Sequence, residues 1–198
     1  FGSYLQMIRE GVKAGSGHIG VYHPSYLADR KIEQFFTVAS SAAALARIPG
    51  VKSVFPRLQL PGLARSSHDS SGVAVLGLEM AAEAGSHPLL EGRRLKSGAI
   101  PSGGRGVLIG DRLAEILRLR VGRKLVVMFQ GAGGDICSAL FRVAGIFHSG
   151  VTQMDAGVIV VDRKELGEAF GAPDAAHELA IMLSGPDDVP AVLEAVRS

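Results

Sequence analysis

Between Val107 and Phe147 the hydrophobic period switches from two to about 3.6 and back to two, and this restricts the fold more than any other feature. Val107–Gly110 (VLIG) reads as a short strand. Asp111 is placed to cap a helix, DRLAEILRL, with Leu113, Ile116 and Leu117 facing inward. Lys124–Gln130 (KLVVMFQ) reads as a strand, Gly131–Asp135 (GAGGD) as a turn, and Leu140–Phe147 (LFRVAGIF) as the return strand. Together they predict a hairpin with a glycine-rich tip.

The same reading extends in both directions. Leu5, Ile8 and Val12 have helical spacing, with Tyr4 beside them, so Ser3–Ala14 reads as an amphipathic helix stopped by Gly15-Ser16-Gly17. His18–His23 reads as a strand closed by Pro24. Asp29 can cap a second helix with a buried stripe of Ile32, Phe35, Phe36, Ala39, Ala43 and Ala46, ended by Pro49-Gly50. Val51–Leu60 alternates as a strand, and Pro56 and Pro61 make it an edge or bent strand. Ser66–Gly72 is turn-like, and Val73–Met80 is the antiparallel partner. Ala81–Gly106 is rich in Gly, Ser, Pro and Arg, and marks a subdomain boundary. After the hairpin come a strand at Gly157–Val161, a helix at Arg163–Phe170 closed by Gly171, and a strand at His177–Leu183. Asp187 and Asp188 open a last helix, with Pro190 in its first turn and Val189, Val192, Leu193 and Val196 facing the core. The class is α+β.

Composition narrows the function. Of 198 residues, 47% are hydrophobic and 20% charged, enough for a packed core. The net charge of +2 gives no reason to expect a nucleic-acid surface, and Arg93, Arg94 and Lys96 read as a solvated turn. Cys137 is the single cysteine, so no internal disulfide forms. No run of about 18 or more apolar residues exists to span a bilayer. The chain begins at Phe1 rather than Met and closes in an amphipathic run, and both ends are expected to be cuts from a longer protein.

Motifs for covalent chemistry fail on context. Gly131-Ala132-Gly133-Gly134 follows a strand but precedes another strand, whereas a phosphate loop must open a helix. Gly103-Gly104-Arg105-Gly106 precedes a strand. No cofactor is expected. None of the six histidines has zinc-site spacing, so no metal is expected, and His68-Asp69 reads as part of a polar loop. No serine sits in a Gly-x-Ser-x-Gly elbow, Asp187-Asp188 reads as a helix cap, and Glu79 and Glu83 fall where a strand gives way to a loop. No catalytic residue is expected. Aromatic residues make up 6% with no Trp, leaving no stacking platform for single-stranded nucleic acid.

Two stretches resemble a known family. Gly17–Tyr26 (GHIGVYHPSY) resembles a segment that follows the first membrane helix in FtsX-like and lipoprotein-releasing permeases. Gly106–Gln130 (GVLIGDRLAEILRLRVGRKLVVMFQ), with Phe141–Gly150 (FRVAGIFHSG), resembles the periplasmic core domain of macrolide-exporter ABC permeases. Asp155, Val158–Val161, the helix from Arg163 and Pro186-Asp187-Asp188 continue the pattern, so the likeness runs from Phe1 to Ser198. Arg123 departs from it, standing at a turn where an acidic residue is frequent.

The resemblance implies two lobes: an α/β lobe from residues 1–98 and 171–198, with a β-rich lobe of residues 99–170 inserted. It implies the periplasmic part of an inner-membrane permease that pairs with a second permease subunit and a separate cytoplasmic ABC ATPase. It also implies a non-catalytic domain that transmits ATP-driven motion to export or lipoprotein release, with a periplasmic carrier or adaptor as a further partner. Lipoprotein-releasing members grip their carrier with a long hairpin. Here the corresponding connection, Gly131–Ser138, is short and glycine-rich, and Gly131, Gly133 and Asp135 are the expected partner contacts. Two other readings remain open: a regulatory relative that activates a periplasmic enzyme, and a stand-alone soluble hydrolase or binding protein.

Overall fold

The computed structural model describes residues 9–11, 18–22, 34–185 and 188–197. In chain order the strands are β1 (Arg9–Gly11), β2 (His18–Tyr22), β3 (Phe36–Thr37), β4 (Val51–Arg65), β5 (Ser70–Leu78), β6 (Leu95–Gly98), β7 (Gly106–Gly110), β8 (Lys124–Gln130), β9 (Ile136–Phe147), β10 (Val158–Asp162), β11 (Ala175–Ala176) and β12 (Glu178–Leu183). The helices are α1 (Val38–Leu45), α2 (Met80–Glu83), α3 (Asp111–Ile116), α4 (Thr152–Gly157), α5 (Arg163–Phe170) and α6 (Val189–Arg197). Two 3-10 turns, Pro88–Leu90 and Gly92–Arg94, precede β6. The α+β class holds.

Contacts divide the chain into two compact units, residues 1–57 with 174–198 and residues 58–173. The sequence expectation put the division at 98/99 and 170/171. The later boundary differs by three residues, but the earlier one moves to 57/58 because Leu58–Leu78 is woven into the second unit through β8 and β10. The irregular stretch Ala81–Gly106 is not a boundary. Its Leu89 and Leu90 are buried, and β6 pairs with β9.

In the first unit, β2 lies between β1 and β12, and β12 pairs with the first seven residues of β4, all antiparallel. Alternation sends Ile19 and Val21 of β2 and Leu179 and Ile181 of β12 into one core. Val192 and Val196, one helical turn apart on α6, join them with Leu45 of α1 and Phe36. Two expectations change here. Arg9–Gly11, inside the expected first helix, is a strand paired with β2, while the rest of that stretch lies outside the described residues, as do Asp29, Ile32 and His23-Pro24. The second helix begins only at Val38, because Phe36–Thr37 pairs with β11, and Ala43 and Ala46 are exposed while Leu45 is buried.

The second unit is a closed barrel. The rest of β4 pairs with β5, β5 with β10, β10 with β7, β7 with β9, β9 with β8, and β8 returns to β4. The β5–β10 and β7–β9 pairs are parallel and the others antiparallel. Register places Leu58, Leu60 and Ala64 opposite the same face as Val75, Val127, Phe129, Phe141, Ile109 and Ile159, and all are buried. That face is the barrel interior, and closure removes the exposed edges an open sheet would carry. Outside the barrel wall, Leu108, Phe147 and Val160 form a second core with Leu78, Met80, Leu89 and Leu90. β7 is therefore buried on both faces, which is why Val107, Leu108 and Ile109 are all apolar.

Prolines in β4 sit where their missing N–H costs least. Pro56 faces β12 alone, and Pro61 faces β5 one residue before β8 joins the other side. β4 is thus an edge strand as expected over its first half and a doubly paired strand from Gly62 onward.

Candidate functional site

One end of the barrel unit gathers four ionisable side chains from four elements: Lys96 on β6, Asp111 at the start of α3, His148 just past β9 and Asp155 on α4. The Asp155 carboxylate is buried. Its Oδ1 accepts the Ser149 backbone N–H at 2.7 Å, and its Oδ2 lies 3.1 Å from His148 Nδ1. The same Nδ1 lies 3.1 Å from Asp111 Oδ2, which also takes a hydrogen bond from the Lys96 ammonium. With carboxylate oxygens on both sides, Nδ1 is the protonated ring nitrogen.

Burial pushes the Asp111 carboxyl up. The hydrogen bond and charge of Lys96, then the charge of His148 and the Arg112 backbone N–H, outweigh that and hold it below the ordinary carboxylate value. Asp111 Oδ1 is buried with no hydrogen-bond partner. Sequence reading made Asp111 a helix cap. It is instead the first residue of α3, with Gly110 at the cap position, and its carboxylate turns toward Lys96 and His148.

Asp111, His148 and Asp155 bring ligand-type atoms within 4.8 Å of one another, a set whose chemistry suits a divalent cation. Lys96 already supplies one positive charge at Asp111. Nothing in the sequence spacing signals the cluster, because the four residues meet only through strand pairing. The neighbouring Ser149 hydroxyl accepts the Val151 N–H at 3.0 Å and is aimed at the Val151 carbonyl, 3.3 Å away.

Close approach fixes the local sequence. A Cβ on Gly110 would lie 2.1 Å from the Asp155 carbonyl oxygen, so only glycine lets β7 meet α4 here.

The β8–β9 hairpin tip holds the residues expected to touch a partner. Gly133 and Asp135 are exposed, whereas Gly131 is buried, and a Cβ there would lie 2.6 Å from Cys137 Sγ. The turn is closed by Gly131 N–H to Asp135 O (2.8 Å) and Gly134 N–H to Gly131 O (2.9 Å). Ala132 N–H bonds the Phe170 carbonyl at the end of α5 at 2.8 Å, which anchors the tip. Sequence reading missed Ile136, which is 71% exposed and the most exposed large apolar side chain among the described residues. Its place beside the glycine-rich turn was the available signal.

Glu79 and Glu83 serve structure. Glu79 pairs with Arg163 at 3.1 Å, and buried Glu83 accepts the Glu79 N–H at 3.2 Å.

No curated protein matches the chain. Among solved structures it is similar to the extracellular domain of the noncanonic ABC-type transporter YknZ from Gram-positive bacteria, with TM-score 0.60 and 18% identity over 80% of this chain and 78% of that one. It is also similar to the periplasmic region of MacB from Actinobacillus actinomycetemcomitans, with TM-score 0.56 and 13% identity over 80% of this chain and 72% of that one. At such identities these neighbours speak to the fold. The whole chain, residues 1–198, also matches the family described as the MacB-like periplasmic core domain, and it belongs to that family.

Proposed function

We propose that the chain is the extracytoplasmic domain of an ABC-transporter permease and transmits motion driven by a separate cytoplasmic ATPase to export or lipoprotein release. The observation that carries this reading is the family match over residues 1–198. A closed barrel with two packed cores suits a rigid transmitting element. Catalysis plays no part in this reading, and the ionisable cluster serves to clamp the barrel end. The exposed tip, Gly133 and Asp135 with Ile136, is the contact for a second permease subunit or a carrier or adaptor protein.

The test uses the parent permease in membranes. Reporter fusions at the chain's two ends should place it outside the cytoplasm. Asp135→Lys combined with Ile136→Asp should uncouple ATP hydrolysis from substrate release while the subunit assembles normally. A cytoplasmic location would overturn the permease reading. Unchanged coupling would overturn the role of the tip. Activation of a periplasmic hydrolase without export would replace transport by regulation.

A further inference from the structure

We propose that the outer face of β4, β8 and β9 is a docking surface for an acidic, apolar-bearing segment of a partner protein. The inference stands on the residues of this face and not on the permease reading.

A cleft of about 880 Å³ opens on this face of the barrel unit. Ladder register orders the face around it. Leu63, Met128 and Ser138 form one row across the three strands, Arg65, Val126 and Leu140 the next, and Lys124 and Arg142 the last. Met128, Val126 and Leu140 form the cleft's apolar floor, Leu63 lies beside it, and Ser138 belongs to an adjoining depression with Glu165 and Glu168. The face therefore runs from apolar to basic along the strands. Leu63 is 40% exposed and Leu140 43%, and with half-buried Met128 and Val126 between them they make a contiguous apolar patch on the outward side of the barrel.

Six cations line the cleft: Arg65, Arg118, Arg120, Arg123, Lys124 and Arg142. Among the described residues no acidic side chain lines it. Arg118 reaches Asp69 at 3.5 Å, and Arg142 donates to the Gly122 carbonyl at 2.7 Å. Arg65, Arg120, Arg123 and Lys124 have no acidic partner among the described residues. Arg118 also holds a left-handed backbone, φ 51°, a conformation a long side chain seldom adopts.

An apolar floor inside a rim of arginines is the anatomy of a protein interface. The unmatched positive charge specifies the sign of its partner. The cations come from three separate segments around the floor, which fits carboxylates spaced along a peptide better than one compact headgroup. β8 is hydrogen-bonded on both sides, to β4 and to β9, so the partner docks by side chains and adds no strand.

The test measures binding of fluorescent peptides to the whole chain by anisotropy. The probe is a peptide of repeated Leu-Glu-Glu-Leu units. The controls are its Gln-for-Glu analogue, a leucine-free polyglutamate of equal length, and vesicles of phosphatidylglycerol. The Leu/Glu peptide should bind best and weaken about tenfold or more as salt screens the rim. Arg123→Glu with Lys124→Glu should weaken it at least about tenfold, Leu140→Ser several-fold, and the distant Arg93→Glu not at all. Arg65→Glu, on a different strand, provides a second reversal should the double variant unfold. Equal binding of the Gln analogue, or undiminished binding by folded reversal variants, overturns the proposal. Polyglutamate binding as tightly removes the apolar half and overturns it equally. Vesicle binding without peptide binding assigns the face to a membrane surface and also overturns it.

Discussion

Replacing Asp155 tests whether the ionisable cluster is a structural clamp. Its carboxylate is 2% exposed and accepts the Ser149 N–H at 2.7 Å. A hydrogen bond to a charged, buried acceptor contributes roughly 1.5–3 kcal/mol, and the N–H stays poorly satisfied when the acceptor is cut away. The His148 contact adds about 0–1 kcal/mol, because the imidazole is 52% exposed. Asp155→Ala should therefore cost about 3 kcal/mol. Asp155→Asn should cost about 1 kcal/mol, since the amide oxygen can still accept from Ser149. His148→Ala should cost about 1 kcal/mol or less. With a urea slope of about 1–3 kcal/mol/M, the alanine variant's midpoint falls by roughly 1–3 M. Tyr4, Tyr22 and Tyr26 are the only tyrosines and all lie in the first unit, so far-ultraviolet circular dichroism must follow the barrel. Hydrogen exchange at the Ser149 amide should accelerate in Asp155→Ala and much less in Asp155→Asn. Equal costs for the two variants, or unchanged Ser149 exchange, would refute the clamp.

Gly110→Ala should be among the most damaging single methyl additions, because the new Cβ meets the Asp155 carbonyl oxygen at 2.1 Å and backbone must move; loss of more than about 3 kcal/mol in urea melts, or insoluble expression, is expected. Lys96→Met should lower stability near neutrality and make it less dependent on acid pH. Asp111's folded carboxyl lies below its ordinary value of 3.8, so its ionised form contributes stability that is full above about pH 4 and fades as pH falls through the lower folded value. Removing Lys96 raises that folded value, so the variant should be less stable near neutrality and the difference should shrink below about pH 4, as read from urea midpoints between pH 3 and 7. Phe147→Ala, fully buried in the second core, should cost about 3–5 kcal/mol, whereas Ile136→Ser at the exposed tip should stay within about 0.5 kcal/mol in the same melts.

Local pattern carried the sequence reading where one period held and failed where pairing decided. β8 and α5 were legible because each has one buried face, β12 because it is a short apolar run buried on both faces at 179–181, and Gly171 with φ 87° ends α5 where a glycine stop was expected. Ile116 was expected inward on α3 yet is 45% exposed, since the helix is only six residues long and Leu113 and Leu117 already fill its buried side. α4 went unread because Thr152–Gly157 offers no apolar stripe, and its place is set by Asp155 bonding back to Ser149. The division at 57/58 was illegible for a related reason. β4 runs unbroken through it, and only long-range pairing with β5, β8 and β12 assigns its two halves. The exposed tip could be read from turn chemistry, but the ionisable cluster could not, because residues as far apart as Lys96 and Asp155 meet through the parallel pairing of β7 with β9.

The tip and the cluster are linked by more than their shared strand. The Phe170 carbonyl that receives the Ala132 N–H closes α5, and α5 opens at Asp162, whose side chain caps the Lys164 N–H at 3.0 Å. β10 ends at that same Asp162 and forms a barrel wall between β5 and β7. β9 leaves the tip at Ile136 and ends at Phe147, one residue before His148. A displacement imposed at Ile136 therefore meets two connected routes into the barrel, one along β9 to the buried Asp155 carboxylate and one through α5 to β10. A short, glycine-rich tip with two such anchorages moves with the barrel. On the proposed reading of the tip as a partner contact, that separates it from a long hairpin that grips by bending, and load applied at the exposed isoleucine would enter a stiff body.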